Sequence, residues 1–529
     1  MESLSALYRA LQLAMEKIKK ILTFRGEVMT TFKQIIMRIL IALGVAVGSM
    51  SSAIAQHRGD PIAFQGISLP AINGVKALAM GGAYTSASGD INSLFWNPAG
   101  LASIDGLSIS ITGDSYKKSW QENQIYRPNR QFVSLGFILD GMLVPDPSNN
   151  GLYDHDVFKN DTNYVVNDPI LGMDHFSKEA ADWTRETDAG GPMSIVIGLP
   201  VNLLKRKFYI AAAVNKKLKV QDYDRNQTYI TPHLGYFQYE GEIVRVTDPL
   251  DSIRVHWSDY ERVRTGDIWS YNVGIGMQLN ENVSFGLGFE MMDGETDDST
   301  YLNRVGYFDL IDANLMAFSY DTLNTSTSGT SKFGSSSLSI STLINYSKIS
   351  IGLKINPGYI VKREWNYTNK NDTLETAVLS GTDEMNVAMG YALGVSIQPT
   401  DFFRIAGDIS KTNHSSNEFT FASQDTTHRG WADQFVVGIG IEYKPFSWIS
   451  LMSGYRSITE TFIPDGAAIT ERGPSENSFT AGASIKILKG YLDVAFENRS
   501  LKYYDQYFSN TNYVLNSIEN ISIGYRYVF

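Results

Sequence analysis

The 529-residue chain has no cysteine, so neither a disulfide framework nor a thiolate metal site can organise it. Basic residues are the minority, 45 against 56 acidic. A net charge of -11 argues against a protein that grips nucleic acid by neutralising phosphates. Beyond the N-terminus, no stretch approaches the roughly 18 consecutive apolar residues that a bilayer-crossing helix needs, which excludes a helical membrane bundle. Catalytic signatures are missing as well. There is no Gly-x-Ser-x-Gly and no P-loop, and His57, His155, His175, His233, His256, His414 and His428 are dispersed without a paired metal spacing. These absences point to a protein that is not an enzyme and carries neither cofactor nor metal. What is abundant is glycine, at 45 residues, with 29 tyrosines and 26 phenylalanines, a β-rich composition.

From Met29 the chain reads MTTFKQIIMRILIALGVAVGSMSSAIAQ. Lys33 and Arg38 precede an apolar run from Ile39 to Val47, and Ala53 and Ala55 stand at positions -3 and -1 of a cleavage site before Gln56. This is the build of a secretory signal peptide, residues 29–55, and the apolar run is too short to anchor in a membrane. Residues 1–28 read as an upstream extension. Removing residues 1–55 takes away seven basic and three acidic side chains and leaves an exported chain with a net charge of -15. For such a chain the remaining way to satisfy every backbone polar group inside a bilayer is a closed β-barrel.

Period-two alternation supplies the strands. Val283, Phe285, Leu287, Phe289 and Met291 share one face, against Ser284, Gly286, Gly288 and Glu290. Phe435, Val437, Ile439, Ile441 and Tyr443 oppose Gly438, Gly440 and Glu442. Val387, Met389, Tyr391, Leu393, Val395 and Ile397 oppose Ala388, Gly390, Ala392, Gly394 and Ser396. The chain ends on Ile521, Ile523, Tyr525, Tyr527 and Phe529. A soluble sandwich alternates too, but its second face meets water and is rich in Thr, Lys and Glu. Here that face is Gly, Ala and Ser with isolated charges, which suits a barrel interior that leaves room for a plug or a ligand.

Short polar links at 280–282, 347–348, 399–401, 444–447 and 488–490 join strand pairs. Long polar segments at 293–335, 363–384, 411–433, 459–476 and 502–519 separate them and read as extracellular loops. Short turns on one side and long loops on the other are the outer-membrane pattern. Fifteen candidate strands result, and bacterial single-chain barrels are even-stranded. The stretch 132–139, which no short turn ties to a neighbour, is therefore assigned to a loop. The fold class expected is an all-β, transmembrane antiparallel β-barrel of about fourteen strands over residues 107–529.

Residues 56–106 lack alternation and are too few for a domain, yet enough to fill a lumen. They carry Gly81-Gly82-Ala83, then Asp90, then Asn97-Pro98-Ala99-Gly100-Leu101-Ala102 directly before the first strand. In these elements the chain resembles the FadL family of outer-membrane transporters for hydrophobic compounds, which includes TodX-like aromatic hydrocarbon channels. The resemblance implies a fourteen-stranded barrel whose N-terminal part forms a hatch in the lumen, with Gly81, Gly82, Ala83, Asn97, Pro98, Ala99 and Gly100 as its motif. It also implies passive uptake of a hydrophobic small molecule such as a long-chain fatty acid or an aromatic hydrocarbon. Leu94-Phe95-Trp96-Asn97 is equally similar to PorV-like barrels, partners of a protein-secretion system. A water-filled diffusion porin is the third reading.

Asn356-Pro357-Gly358 marks a possible wall irregularity, because proline cannot donate to the ladder and glycine weakens it. A strand that merely ends or bulges there is the plainer alternative. Lys354, Arg404, Asp408, Glu442, Arg456, Lys486, Asp493, Glu497 and Arg526 mix both signs on the small-residue face and are expected to pair with one another or with the hatch, since lone buried charges are costly. Asp293, Glu295, Asp297 and Asp298 lack the spacing of an EF-hand and read as a solvated loop. The expected partners are the hydrophobic ligand, outer-membrane lipids and lipopolysaccharide, and, through the alternating aromatics ending at Phe529, the barrel-assembly machinery. The chain is expected to act as a monomer in the outer membrane of a Gram-negative bacterium.

Overall fold

The computed structural model describes residues 73–126, 173–203, 206–230, 236–239, 242–245, 255–304, 307–312, 315–319, 323–371, 374–420, 422, 427–428, 431–464, 472–507 and 510–529. The expected extension, the signal peptide, residues 56–72 of the hatch segment and the stretch 132–139 lie outside the described residues.

Fourteen antiparallel strands form the barrel wall. They are β1 (Ser108–Tyr126), β2 (Trp183–Leu203), β3 (Arg206–Ile230), β4 (Val255–Gln278), β5 (Val283–Arg304) and β6 (Leu323–Tyr346), then β7 in two pieces (Ile349–Asn356 and Tyr359–Asn371) and β8 in two pieces (Leu374–Val387 and Gly390–Thr400). β9 (Phe403–Thr412), β10 (Gln434–Phe446), β11 (Ile449–Thr459), β12 (Ser475–Ile487), β13 (Gly490–Tyr507) and β14 (Asn510–Val528) complete the wall. Each strand pairs with its sequence neighbour. β1 also pairs with β14, from Ser108 opposite Val528 to Tyr126 opposite Asn510, so the sheet closes and leaves no free edge.

The alternation places large side chains outward. Leu287, Phe289 and Met291 are 45–47% exposed, as are their counterparts Val437, Ile439 and Ile441 at similar levels, while Ser284 and Ser341 are buried. In water such a surface would be an aggregation hazard; in a bilayer it is the lipid-facing belt. The strands run far beyond this belt, up to 25 residues in β3. Much of 293–335, 363–384 and 502–519, expected as loops, is therefore strand. The Asp293 run corrects in the same way. Asp293, Glu295 and Asp297 project outward from β5 above Met291, while Asp298 points inward, where it meets Arg264 at 2.6 Å and the Ser331 hydroxyl. Alternation of apolar and polar residues reports contact with hydrocarbon. Above the bilayer both faces of a strand are free to be polar, and the signal disappears while the ladder continues.

Val387 also departs from expectation. It shares parity with Met389, yet it is buried in the lumen while Met389 faces out, because the ladder of β8 breaks between Val387 and Gly390 and shifts by one residue. β7 flips at the same height, between Leu353, which is exposed, and Val361, which is buried. A bulge at Lys216/Leu218 flips β3, and the β2–β3 ladder stops at Ser194 opposite Asn215.

Candidate functional site: hatch, lumen and wall break

Before β1 the chain forms α1 (Val75–Ala79), α2 (Ser93–Trp96) and a 3₁₀ turn (Pro98–Ser103), all inside the barrel. The sequence explains the local turns. Gly81 and Gly82 have φ of +63° and +76°, a region that disfavours any residue with a β-carbon. Asn97 caps the 3₁₀ turn, its Oδ1 accepting the Ala99 N–H at 3.1 Å, and Pro98 occupies the first turn, where no N–H is needed. The Asn97 amide then donates to the Thr85 carbonyl at 2.8 Å and to the Thr342 carbonyl of β6 at 3.2 Å. Asn97 thus ties two hatch turns to each other and to the wall. Ala83, Pro98 and Ala99 are buried, and a β-carbon on Gly100 would stand 2.5 Å from the Ser88 hydroxyl.

The small-residue inner face is the seat of this segment. Gly286 of β5 lies against the backbone of Pro98 and Ala99, Gly352 of β7 against Thr85, Gly394 of β8 against Thr85 and Ser86, and Gly438, Gly440 and Gly454 of β10 and β11 against Met80 to Ala83. Backbone packs on backbone, closer than any side chain would permit.

Charges fasten the fit. Arg526 holds Asp90 of the hatch at 2.7 Å and Asp493 of the wall through a bidentate pair. Lys76 meets Glu442 at 2.9 Å, with Arg404 at 3.6 Å from the same carboxylate. Asp408 accepts two hatch amides, Tyr84 N–H at 2.9 Å and Thr85 N–H at 2.6 Å. The Lys354 ammonium donates to the Phe95 carbonyl at 2.7 Å, and Glu497 accepts from Ser478. Arg456 is fully buried beside Gly82. Lys486 differs from the other lumen charges, being exposed near the turn after β12.

Above the hatch, Val220, Ile268, Met292, Phe333, Val361, Met385, Val387, Phe419 and Trp431 form one buried apolar cluster that projects into the lumen from β3 to β8 and from the segments around Phe419 and Trp431. Beneath it lie two adjoining cavities of about 230 and 180 Å³, which share Asn73, Phe95, Lys354, Asn356 and Thr412. The larger is lined by Lys217 and Glu290, paired at 2.7 Å, and by Tyr359, Ala388 and Gly390.

Asn356 thus lines both cavities, while Pro357 and Gly358 form the gap between the two pieces of β7, beside the gap in β8. The polar groups that the β8 gap releases are taken up by side chains from the turn after β9. Asn417 Oδ1 accepts the Ala388 N–H at 2.9 Å, and the Asn413 amide donates to the Met389 carbonyl at 3.3 Å. On the outer side, Leu338, Ile360, Met389 and Tyr391 are exposed, so the broken ladder lies within the apolar belt.

No family model matches the chain, and no curated protein matches it in sequence. Solved structures match it in shape. The chain, over 86% of its length, covers 96% of a Pseudomonas aeruginosa FadL homologue at a TM-score of 0.53 and 12% identity. It covers 99% of a ΔS2S3 mutant of TodX, a monoaromatic hydrocarbon channel, at a TM-score of 0.51 and 13% identity. The chain has the FadL-type fold. A FadL-type barrel of fourteen strands with an exposed apolar belt is built for a bacterial outer membrane.

Gly81, Gly82, Ala83 and Asn97 to Gly100 lie inside this FadL-type barrel with most of the lumen charges, while the apolar cluster has no counterpart in the sequence pattern. Val361, Met385 and Val387 sit where parity flips, so period-two counting assigns Val387 to the wrong face. Phe419 and Trp431 lie in a segment without strand alternation. The one usable signal was the Pro357-Gly358 pair, which marks where such a flip can occur.

Proposed function

We propose that this protein is an outer-membrane channel for passive uptake of hydrophobic compounds, such as long-chain fatty acids or aromatic hydrocarbons. The observation that carries this reading is the sequence of environments along the lumen: an apolar cluster between β3 and β8, then a cavity, then a backbone-packed hatch. A water-filled porin would need a continuous polar passage, whereas this lumen offers an apolar molecule a place to leave water and then a stop. A lipophilic solute crosses the polar lipopolysaccharide layer poorly, so a concave apolar route lowers its barrier without any coupled energy source.

Exit is proposed sideways, at Asn356, Pro357 and Gly358. There the cavity abuts the break in β7, beside the β8 gap at Ala388 and Met389 that Asn417 and Asn413 close by side-chain hydrogen bonds. The protein is proposed to reach the outer membrane after signal-peptide cleavage following Ala55, to fold with the barrel-assembly machinery, and to act as a monomer among outer-membrane lipids and lipopolysaccharide. The test is uptake by an outer-membrane-transport-deficient Gram-negative host expressing the chain, measured with labelled palmitate and labelled toluene, beside ion conductance in planar bilayers. Uptake of either compound with low conductance is expected. High conductance without uptake would establish a porin instead, and co-purification with exported proteins without uptake would favour the PorV-like reading.

A further inference from the structure

The segment between β11 and β12 folds into the outer mouth of the barrel and brings a buried carboxyl group with it. Glu460, Thr461 and Ile463 are buried, the Phe462 ring meets the Tyr503 ring edge-on at 5.0 Å, and the Glu460 N–H donates to the Pro474 carbonyl at 2.8 Å. The returning arm lies close against it, since a β-carbon on Gly473 would stand 2.2 Å from the Glu460 carbonyl oxygen. Thr461 ties this segment to the apolar cluster. Its carbonyl accepts the Ala432 N–H at 2.7 Å, and the adjacent Trp431 meets Phe419 edge-on at 6.1 Å within that cluster.

Glu460 faces Glu476 of β12, itself buried, together with Arg499 of β13 and Lys118 of β1. Both cations have other partners. Arg499 stands 3.4 Å from Glu476 and also faces Glu497, while the Lys118 ammonium donates to the Gln221 carbonyl of β3 and faces Asp222. Burial and the neighbouring Glu476 push the Glu460 carboxyl up to about 8, whereas in water it would return to its ordinary value of 4.5. The packed segment thus binds the proton more tightly than the released one. Packing is fully stabilised below pH 4.5, and that stabilisation is lost as pH rises towards 8.

Resting on the channel reading, we propose that residues 460–464 are a proton-operated lid over the outer mouth of the apolar cluster. With Glu460 protonated, Thr461 holds the Trp431 stretch in place and the cluster is covered. With Glu460 ionised, repulsion from Glu476 drives the segment out, Ala432 loses its acceptor, and cargo reaches Phe419 and Trp431 sooner.

Because the chain has no cysteine, one introduced thiol reports on the lid without background. In the purified full-length protein, labelling of Ile463→Cys by a water-soluble maleimide, divided by that of the exposed Thr184→Cys, is expected to rise at least tenfold from pH 5 to pH 9. Adding Glu460→Gln to Ile463→Cys should hold the ratio at its pH 5 value. Binding of labelled hexadecanol, whose head does not titrate in this range, should be faster at pH 9 than at pH 5 in the wild type, a readout that needs no variant to fold. In Glu460→Gln the two rates should be equal. A labelling ratio that does not rise, or that rises equally with Glu460→Gln, would overturn the lid. A rise in labelling with an unchanged hexadecanol rate would overturn its place over the cluster. A wild-type protein that binds hexadecanol at neither pH would instead bring down the channel reading, while the labelling ratio would still decide the lid.

Discussion

Gly286 provides a direct test of whether the barrel is stoppered by backbone fit. A β-carbon at this position would stand 2.1 Å from the Ala99 nitrogen and 2.4 Å from the Pro98 carbonyl carbon, where ordinary contact begins at 3.4 Å. The two backbones must separate by about 1 Å or more. β5 is paired along its length with β4 and β6, so the 3₁₀ turn is the partner that moves. Overpacking of this kind costs roughly 1–3 kcal/mol. The shift also strains the Ala99 N–H to Ser341 Oγ bond at 3.1 Å and the Asn97 to Thr342 bond at 3.2 Å, each worth about 0.5–1.5 kcal/mol. A total of roughly 2–6 kcal/mol corresponds to a more than tenfold gain in the unseated hatch. Gly286→Ala should therefore raise single-channel conductance and admit bulky antibiotics that the wild type excludes. Gly334→Ala, whose β-carbon would meet nothing nearer than 3.9 Å, is the matched control. If Gly286→Ala conducts no more than this control, the hatch is not held by close backbone packing and the reasoning fails.

Three further outcomes follow from the fastenings. Arg526→Met strips the buried Asp493 of its partner, a loss of about 3–5 kcal/mol, and should lower the temperature at which the barrel stops migrating as a folded band in gels; adding Asp493→Asn should recover part of the loss. Asp408→Ala leaves the Tyr84 and Thr85 amides without an acceptor at about 1–3 kcal/mol each, whereas Asp408→Asn keeps an oxygen there, so protease cleavage within 80–90 should be faster in the first variant only. Glu460, in the segment after β11, is pushed up to about 8 by burial and by the neighbouring Glu476. Its folded form keeps its proton to higher pH than the unfolded chain, so stability falls as pH rises from about 4.5 to 8. Amide exchange at 461–463 should rise across that window, and Glu460→Gln should flatten the profile; a pH profile identical in the variant would assign the effect elsewhere.

The legible and illegible parts of this sequence divide along a physical line. Where a strand touches lipid on one face and the hatch on the other, both faces constrain composition, and Leu287, Phe289 and Met291 against Gly286 and Gly288 can be read at sight. Above the bilayer the outward face is solvated, and β5 continues through Asp293, Glu295 and Asp297 with no apolar stripe to announce it. The hatch motif was readable because its residues answer local backbone demands: positive φ at Gly81 and Gly82, a cap at Asn97, and close approach at Gly100. Its partners were not, since Asp408 lies 323 residues from Thr85 and no local rule relates the two.

The share of the apolar lumen that β7 and β8 supply and the weak place in the wall have one cause. β4, β5 and β6 turn Ile268, Met292 and Phe333 inward in an unbroken register, whereas in the belt register of β7 and β8 Val361, Met385 and Val387 would face out. β7 and β8 escape this by shifting one residue at Pro357-Gly358 and at Ala388-Met389, which turns Val361, Met385 and Val387 inward while Leu353 and Tyr391 below still face out. The same shift removes ladder hydrogen bonds and obliges Asn413 and Asn417 to substitute for them. An apolar path inside the barrel therefore brings a side-chain-closed seam beside it. Asn417→Ala, which frees the Ala388 N–H within the lipid-facing belt, should loosen that seam while leaving β1–β6 untouched. Faster release of bound cargo into liposomes with unchanged entry would locate the exit at β7–β8. Release at the wild-type rate would move it elsewhere, with the end of the β2–β3 ladder at Ser194 and Asn215 the next place to look.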